Sequence, residues 1–133
     1  MASDKSIIQR EIIPATAQQI YAILSDAAAH AEFSGVPATG DAKVGGEFSF
    51  WGGHIVGKHL DLQPGTRILQ EWRPGNWPDS QPSSLLEFSF KEIGEGTEVT
   101  MVHSRLPDDQ VEHLTSGWND RYWKPMKEYF KKK

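Results

Sequence analysis

At 133 residues, 24% charged and 38% hydrophobic with a net charge of -4, the chain has the length of one ordinary domain that can bury a sizeable core. The absence of cysteine excludes a disulfide framework, a thiol nucleophile and a Cys-based zinc site. No apolar run approaches the ~20 residues that span a bilayer, and no basic stripe marks a nucleic-acid partner. The N-terminal stretch MASDKSIIQREII lacks the basic flank and apolar core of a signal peptide, so a cytoplasmic location is expected, with a monomer as the expected state.

Residues 6–13 are apolar and β-branched without clean alternation, and Pro14 stops them, which reads as a first strand. Thr16 and Gln19 form a capping-box pattern, after which Ala17, Ile20, Tyr21 and Leu24 follow at helical spacing. Asp26 can cap a second short helix over 27–33, ended by Ser34-Gly35. Residues 36–43 form a loop rich in Pro, Gly and Ala.

Residues 44–78 read as three consecutive antiparallel strands. A two-residue loop at Gly52-Gly53 would pair Phe50 with Ile55, Phe48 with Gly57 and Glu47 with Lys58. A similar loop at Pro64-Gly65 would set Gly57 opposite Trp72, Lys58 opposite Glu71, His59 opposite Gln70 and Leu60 opposite Leu69. Lys58 then lies between two carboxylates on one face. The other face carries Phe48, Phe50, Ile55, Ile68 and Trp72, with Gly57 making room beneath the indole.

A long loop over 73–83 holds three prolines and Trp77, which is either tucked into the core edge or displayed to a partner. Residues 84–91 alternate with Leu86, Phe88 and Phe90 on one face, and residues 97–105 with Val99, Met101 and His103. Asp108 or Asp109 is placed to cap a last helix, whose stripe is Val111, Leu114, Trp118, Tyr122, Met126 and Tyr129. Gly117 and Pro125 interrupt that stripe, and Pro125 predicts a bend. The basic cluster Lys131-Lys132-Lys133 ends this helix, where cations suit the helix dipole. No internal repeat or linker divides residues 1–133, which read as a single domain.

The chemistry-bearing residues form no familiar site. The five histidines, His30, His54, His59, His103 and His113, lack metal-ligand spacing, so no metal and no cofactor are expected. His59 falls on the inner face beside Gln70 and near Asp61, as a hydrogen-bonded core residue or a polar anchor, and is the best-placed acid-base candidate. No serine has a nucleophile-elbow context, and neither Gly pair leads from a strand into a helix as a phosphate cradle would.

The order of strand, two short helices, five strands and one long helix resembles the helix-grip fold of the START-like (SRPBCC) superfamily. Within it the chain resembles the activator of heat-shock protein 90 ATPase homologue family, in its C-terminal-domain type. The resemblance is carried by Val44-Gly45-Gly46-Glu47-Phe48-Ser49, Trp51-Gly52-Gly53, Gly57, Leu62-Gln63-Pro64, Glu71-Trp72-Arg73, Trp77-Pro78, Thr115-Ser116-Gly117-Trp118 and Tyr122-Trp123 through Phe130. It implies an α+β fold in which a curved antiparallel sheet of about six strands wraps around a long C-terminal helix. It also implies a non-enzymatic, co-chaperone-like domain that binds heat-shock protein 90. None of these 133 residues is expected to correspond to the separate N-terminal domain that supplies much of that family's stimulation of the chaperone ATPase.

Wider relatives of the fold suggest a carrier or sensor of a small apolar molecule as the alternative, and a cyclase or hydrolase as a third. The residues lining a cavity between sheet and last helix would be Phe48, Phe50, Ile55, His59, Ile68, Gln70, Trp72, Phe88, Met101, Trp118, Tyr122 and Met126.

Overall fold

The computed structural model describes residues 5–75, 77–78 and 80–131, so Lys132 and Lys133 of the basic cluster lie outside the described residues. Strand β1 (Lys5–Ile13) leads into helices α1 (Ala17–Ser25) and α2 (Ala27–Ser34). The capping box at α1 is present in both halves: Gln19 N–H donates to Thr16 Oγ1 and Thr16 N–H to Gln19 Oε1. Asp26 ends α1 with its backbone and caps α2 with its carboxylate, and Gly35 closes α2 in the left-handed conformation that glycine adopts without a Cβ clash (φ 76°).

The remaining strands are β2 (Thr39–Gly40), β3 (Glu47–Phe50), β4 (Ile55–Gln63), β5 (Arg67–Pro74), β6 (Ser84–Ile93) and β7 (Gly96–Leu106). They form one antiparallel sheet in the order β1-β7-β6-β5-β4-β3-β2. The sheet has seven strands where about six were expected. The addition is β2, two residues of the Pro/Gly-rich loop that pair with Phe48 and Ser49 and carry no hydrophobic pattern of their own.

The register of β3 with β4 matches the sequence expectation, Glu47–Lys58 through Phe50–Ile55. The connection is nevertheless a four-residue turn over 51–54, not two residues, because Trp51, Gly52 and Gly53 all take left-handed backbone. Between β4 and β5 the pairs Gly57–Trp72, Lys58–Glu71 and His59–Gln70 are as expected. Leu60 does not face Leu69: the loop at Pro64-Gly65 has three residues, which shifts the tip by one, and a bulge at Leu60 restores the register. Opposite Trp72, Gly57 does not make room for the indole. A Cβ there would lie 2.1 Å from the Glu71 carbonyl oxygen and 2.4 Å from the Phe48 ring, so Phe48 takes that space.

After β7, Pro107 and a 3₁₀ turn (Asp108–Gln110) precede α3 (Val111–Trp118), and neither Asp108 nor Asp109 caps it with a side chain. A π turn (Asn119–Trp123) joins α3 to α4 (Lys124–Lys131), with Lys124 N–H bonded to Asn119 O. Pro125 explains the widening: it has no N–H to give, and its ring would strike the carbonyl four residues back in a regular helix. The widened turn brings both Tyr122 and Trp123 to the core side, where Met126 and Phe130 continue the buried row. Trp123 Nε1–H donates to Gln9 Oε1 at 2.6 Å, and Lys127 pairs with Glu11 at 2.6 Å, so the end of the helical segment is fastened to β1.

Candidate functional site

All twelve side chains proposed to line a cavity are buried, none more than 6% exposed. Most are packed against one another. Phe48 stacks on Phe50 with ring centroids 4.6 Å apart and lies 4.9 Å from His59. Trp118 lies 5.8 Å from Trp72, 5.8 Å from Phe88 and 4.7 Å from Tyr122. Gln70 Nε2–H donates to the Leu24 carbonyl, tying β5 to the end of α1. Ile68, Met101 and Met126 are fully enclosed.

Space remains at one end, between the 51–54 turn, the end of β5 and α3. A cavity of about 80 Å³ is lined there by Trp51, His54, Ile55, Trp72, Pro74, Gln110, His113, Leu114, Gly117, Trp118, Arg121 and Tyr122. Ile55, Trp72, Trp118 and Tyr122 are thus brought together around it, whereas Phe48, Phe50, His59, Ile68, Gln70, Phe88, Met101 and Met126 are not among its lining. Sequence reasoning missed the other eight lining residues, Trp51, His54, Pro74, Gln110, His113, Leu114, Gly117 and Arg121. The available signal was Gly117, a glycine in a helix interior, where it costs about 0.5–1 kcal/mol relative to alanine. Trp77, the ambiguous loop tryptophan, is tucked into the core edge at 6% exposure, with Nε1–H directed at Gln110 Oε1.

Two clusters of buried side chains are joined by hydrogen bonds to histidine. In the first, Trp118 Nε1–H donates to His103 Nδ1 at 3.1 Å, and His103 Nε2 meets Ser84 Oγ at 2.7 Å. An indole can only donate, so Nδ1 is the acceptor and the neutral imidazole carries its proton on Nε2. His103 therefore donates to Ser84, and Ser84 passes its own proton to the Trp72 carbonyl at 2.8 Å. Burial pushes the His103 pKa down to about 3. A serine beside a histidine suggests a nucleophile and its base, but the proton order here is the reverse: the imidazole gives to the hydroxyl.

In the second cluster the Tyr122 hydroxyl accepts from Trp51 Nε1–H at 2.9 Å and lies 2.8 Å from His30 Nε2. His30 stacks on Phe50 at 4.0 Å, its Nδ1 has no partner, and burial lowers its pKa to about 4. Burial also raises the Tyr122 pKa, against the smaller opposite pull of the Trp51 hydrogen bond. His59 is fully buried with neither ring nitrogen bonded, and burial pushes its pKa down. The Ser25 backbone favours its charged form slightly without reaching hydrogen-bond geometry. Asp61, the expected acid-base companion of His59, is engaged elsewhere, accepting from Gln63 Nε2 at 2.8 Å and from Arg67 at 2.9 Å. Among the described residues no three His, Asp or Glu side chains converge as a metal site, and no helix is long and apolar enough to cross a membrane.

Comparison with known proteins agrees with this architecture. The chain is 27% identical to the human activator of 90 kDa heat shock protein ATPase homolog 1 over 124 residues, which is 93% of this chain and 36% of that protein. An uncharacterized protein of Schizosaccharomyces pombe is 31% identical over 116 residues, 87% of this chain and 34% of its own. The chain thus spans about a third of the length of the curated relatives it matches. Among solved structures, an HSP90 activator from Plasmodium falciparum superposes with a TM-score of 0.80 at 23% identity, covering 88% of this chain and 89% of its own. The Aha1 dimer from Colwellia psychrerythraea gives 0.76 at 22% identity, covering 92% and 93%. The sequence profile described as activator of Hsp90 ATPase homolog 1-like protein matches residues 14–131, and the chain belongs to that family.

Proposed function

We propose that this chain is a non-enzymatic, chaperone-binding domain whose partner is heat-shock protein 90, acting in the cytoplasm as a monomer. The observation that carries the reading is the family match over residues 14–131, together with relatives named as activators of that chaperone. The packing supports binding in preference to covalent chemistry, because the Ser84–His103 pair is ordered in the wrong direction for nucleophilic attack. That observation weighs against the cyclase or hydrolase reading. Contact through surface charge would weaken as salt screens it.

Titration calorimetry against heat-shock protein 90 of the same organism tests the proposal. Saturable binding that weakens between roughly 50 and 200 mM salt is expected, with little or no stimulation of the chaperone's ATPase by this segment alone. Absence of binding heat at chain concentrations up to about 100 µM would discard it.

A second reading, a small-ligand carrier or sensor, is favoured by the cavity beside Gly117. Its volume of about 80 Å³ is far below the roughly 300–1,000 Å³ of sites that hold drug-sized ligands. Only a small occupant fits.

A further inference from the structure

Two features that cost stability meet at this cavity, beside a hydrogen bond that holds one of them in place. Trp51 is one of two non-glycine residues with positive φ among the described residues (56°), a strained conformation for a bulky side chain. The Tyr122 hydroxyl holds its indole N–H, with the ring centroids 5.8 Å apart in an edge-on arrangement. Gly117 lies inside α3 with no positive φ to require it, and a Cβ built there would meet nothing within 4 Å. A side chain at this position would grow into free space, so packing does not explain the glycine. Arg121 is exposed and also lines the cavity, and the lining holds no carboxylate.

The inner wall is apolar, made by the buried rings of Trp72 and Trp118, tilted 33° to each other, and the partly buried Trp51 belongs to the same lining. The exposed lining residues are cationic or able to donate: Arg121, His54 and His113. Their Asp and Glu counterparts are absent from the lining, so an anion placed there meets no like charge. An engineered cavity of about 150 Å³ holds benzene. A volume of about 80 Å³ is roughly half of that, so a single ring is the upper limit and part of it would lie over the open rim.

We propose that this cavity is a binding site for a small aromatic carboxylate with a single ring. The ring lies among Trp51, Trp72 and Trp118, and the carboxylate is held at the rim by Arg121. Gly117 keeps the space open. The inference deepens the small-ligand reading and stands independently of chaperone binding.

The test uses phenylacetate as probe, phenylacetamide as its neutral counterpart and acetate as the ion without a ring. Tryptophan fluorescence and melting temperature are followed on the full chain. Phenylacetate should bind saturably with a dissociation constant on the order of 1 mM, as suits about ten heavy atoms. Phenylacetamide should bind about tenfold more weakly, the loss of one charge-assisted contact, and acetate should have no effect.

Gly117→Leu should abolish binding by filling the cavity. Arg121→Gln, an exposed change that leaves the core untouched, should bring acid and amide to equal affinity. Equal binding of acid and amide by the unaltered chain overturns the carboxylate assignment while leaving a small-ligand site. Undiminished binding in Gly117→Leu moves the site elsewhere. No saturable response to any ring compound overturns the small-ligand reading as well, and none of these outcomes touches the calorimetric test with the chaperone.

Discussion

Around His103 the buried polar atoms of the aromatic core are fully partnered, whereas around His30 they are not. Trp118, His103, Ser84 and the Trp72 carbonyl form a chain in which each donor has one acceptor and each proton one position. At His30 one tyrosine hydroxyl serves both Trp51 and the imidazole, Nδ1 is left without a partner, the backbone at Trp51 is strained, and a cavity adjoins. Trp118 belongs to both regions, its N–H bonded in the first and its ring lining the second. Where hydrogen bonds are complete the polar network is held in one arrangement. Space, strain and an unpaired nitrogen collect where they are not.

The comparison predicts how each region fails. The largest effect is that of pH, because both regions hold a histidine kept neutral by burial. The folded state resists protonation while the unfolded chain takes up protons from about pH 6.5 downward. Stability is therefore full above pH 6.5 and falls as pH drops through the folded values of about 4 for His30 and about 3 for His103. Each histidine should contribute a slope of about 1.4 kcal/mol per pH unit inside its window. Urea midpoints measured from pH 7 to pH 4 should show this loss, and His30→Gln should remove one histidine's share. An unaltered slope in that variant would mean that His30 is readily protonated in the folded state, contrary to its enclosure.

Trp118→Ala strikes both regions at once. It should cost about 3–5 kcal/mol in chemical denaturation, from the lost ring volume and the orphaned His103 Nδ1. A cost under about 1 kcal/mol would show that the core closes over the gap.

Ser84→Ala acts on the fully partnered region alone. It leaves the His103 Nε2–H without an acceptor and should destabilise by about 1–3 kcal/mol. A neutral result would mean that His103 Nε2 finds another partner once the hydroxyl is gone.

Two glycines then contrast the packing directly. Gly57→Val meets the Glu71 carbonyl and the Phe48 ring and should cost about 1–3 kcal/mol. Gly117→Ala meets nothing within 4 Å and should raise stability by about 0.5–1 kcal/mol, the helix-propensity difference. The same sign of melting-temperature change in both variants would erase the distinction between a filled region and an open one.

Much of the local geometry is legible before folding. The Thr16–Gln19 capping box, the Asp26 cap and the Gly35 terminus depend on neighbours within four residues, and the sequence carries all the partners. The pairs Glu47–Lys58 and Gly57–Trp72 follow from alternation once the turn positions are known. What alternation could not supply was turn length: one extra residue at 64–66 moved the strand tip, and the Leu60 bulge corrected it. The capping role given to Asp108 or Asp109 failed because Pro107 starts a 3₁₀ turn before the helix proper.

For this protein the sequence by itself carried the resemblance to the family, through the order of its motifs. Through periodicity it also carried the inner face of the sheet and the first part of the helical stripe, Leu114 to Met126. The π turn then buried Trp123 and Phe130, which the regular spacing had not placed in the stripe. Only the tertiary structure decided that eight of the twelve inward residues fill the core instead of lining space. Whether aromatic side chains leave a cavity depends on how their volumes interlock across elements distant in the chain, as Phe48 does over Gly57. It likewise decided that Trp51, Gly117 and Arg121 meet. Their juxtaposition comes from a left-handed turn between β3 and β4 lying against α3 and the π turn that follows it, and no spacing along the chain records that contact.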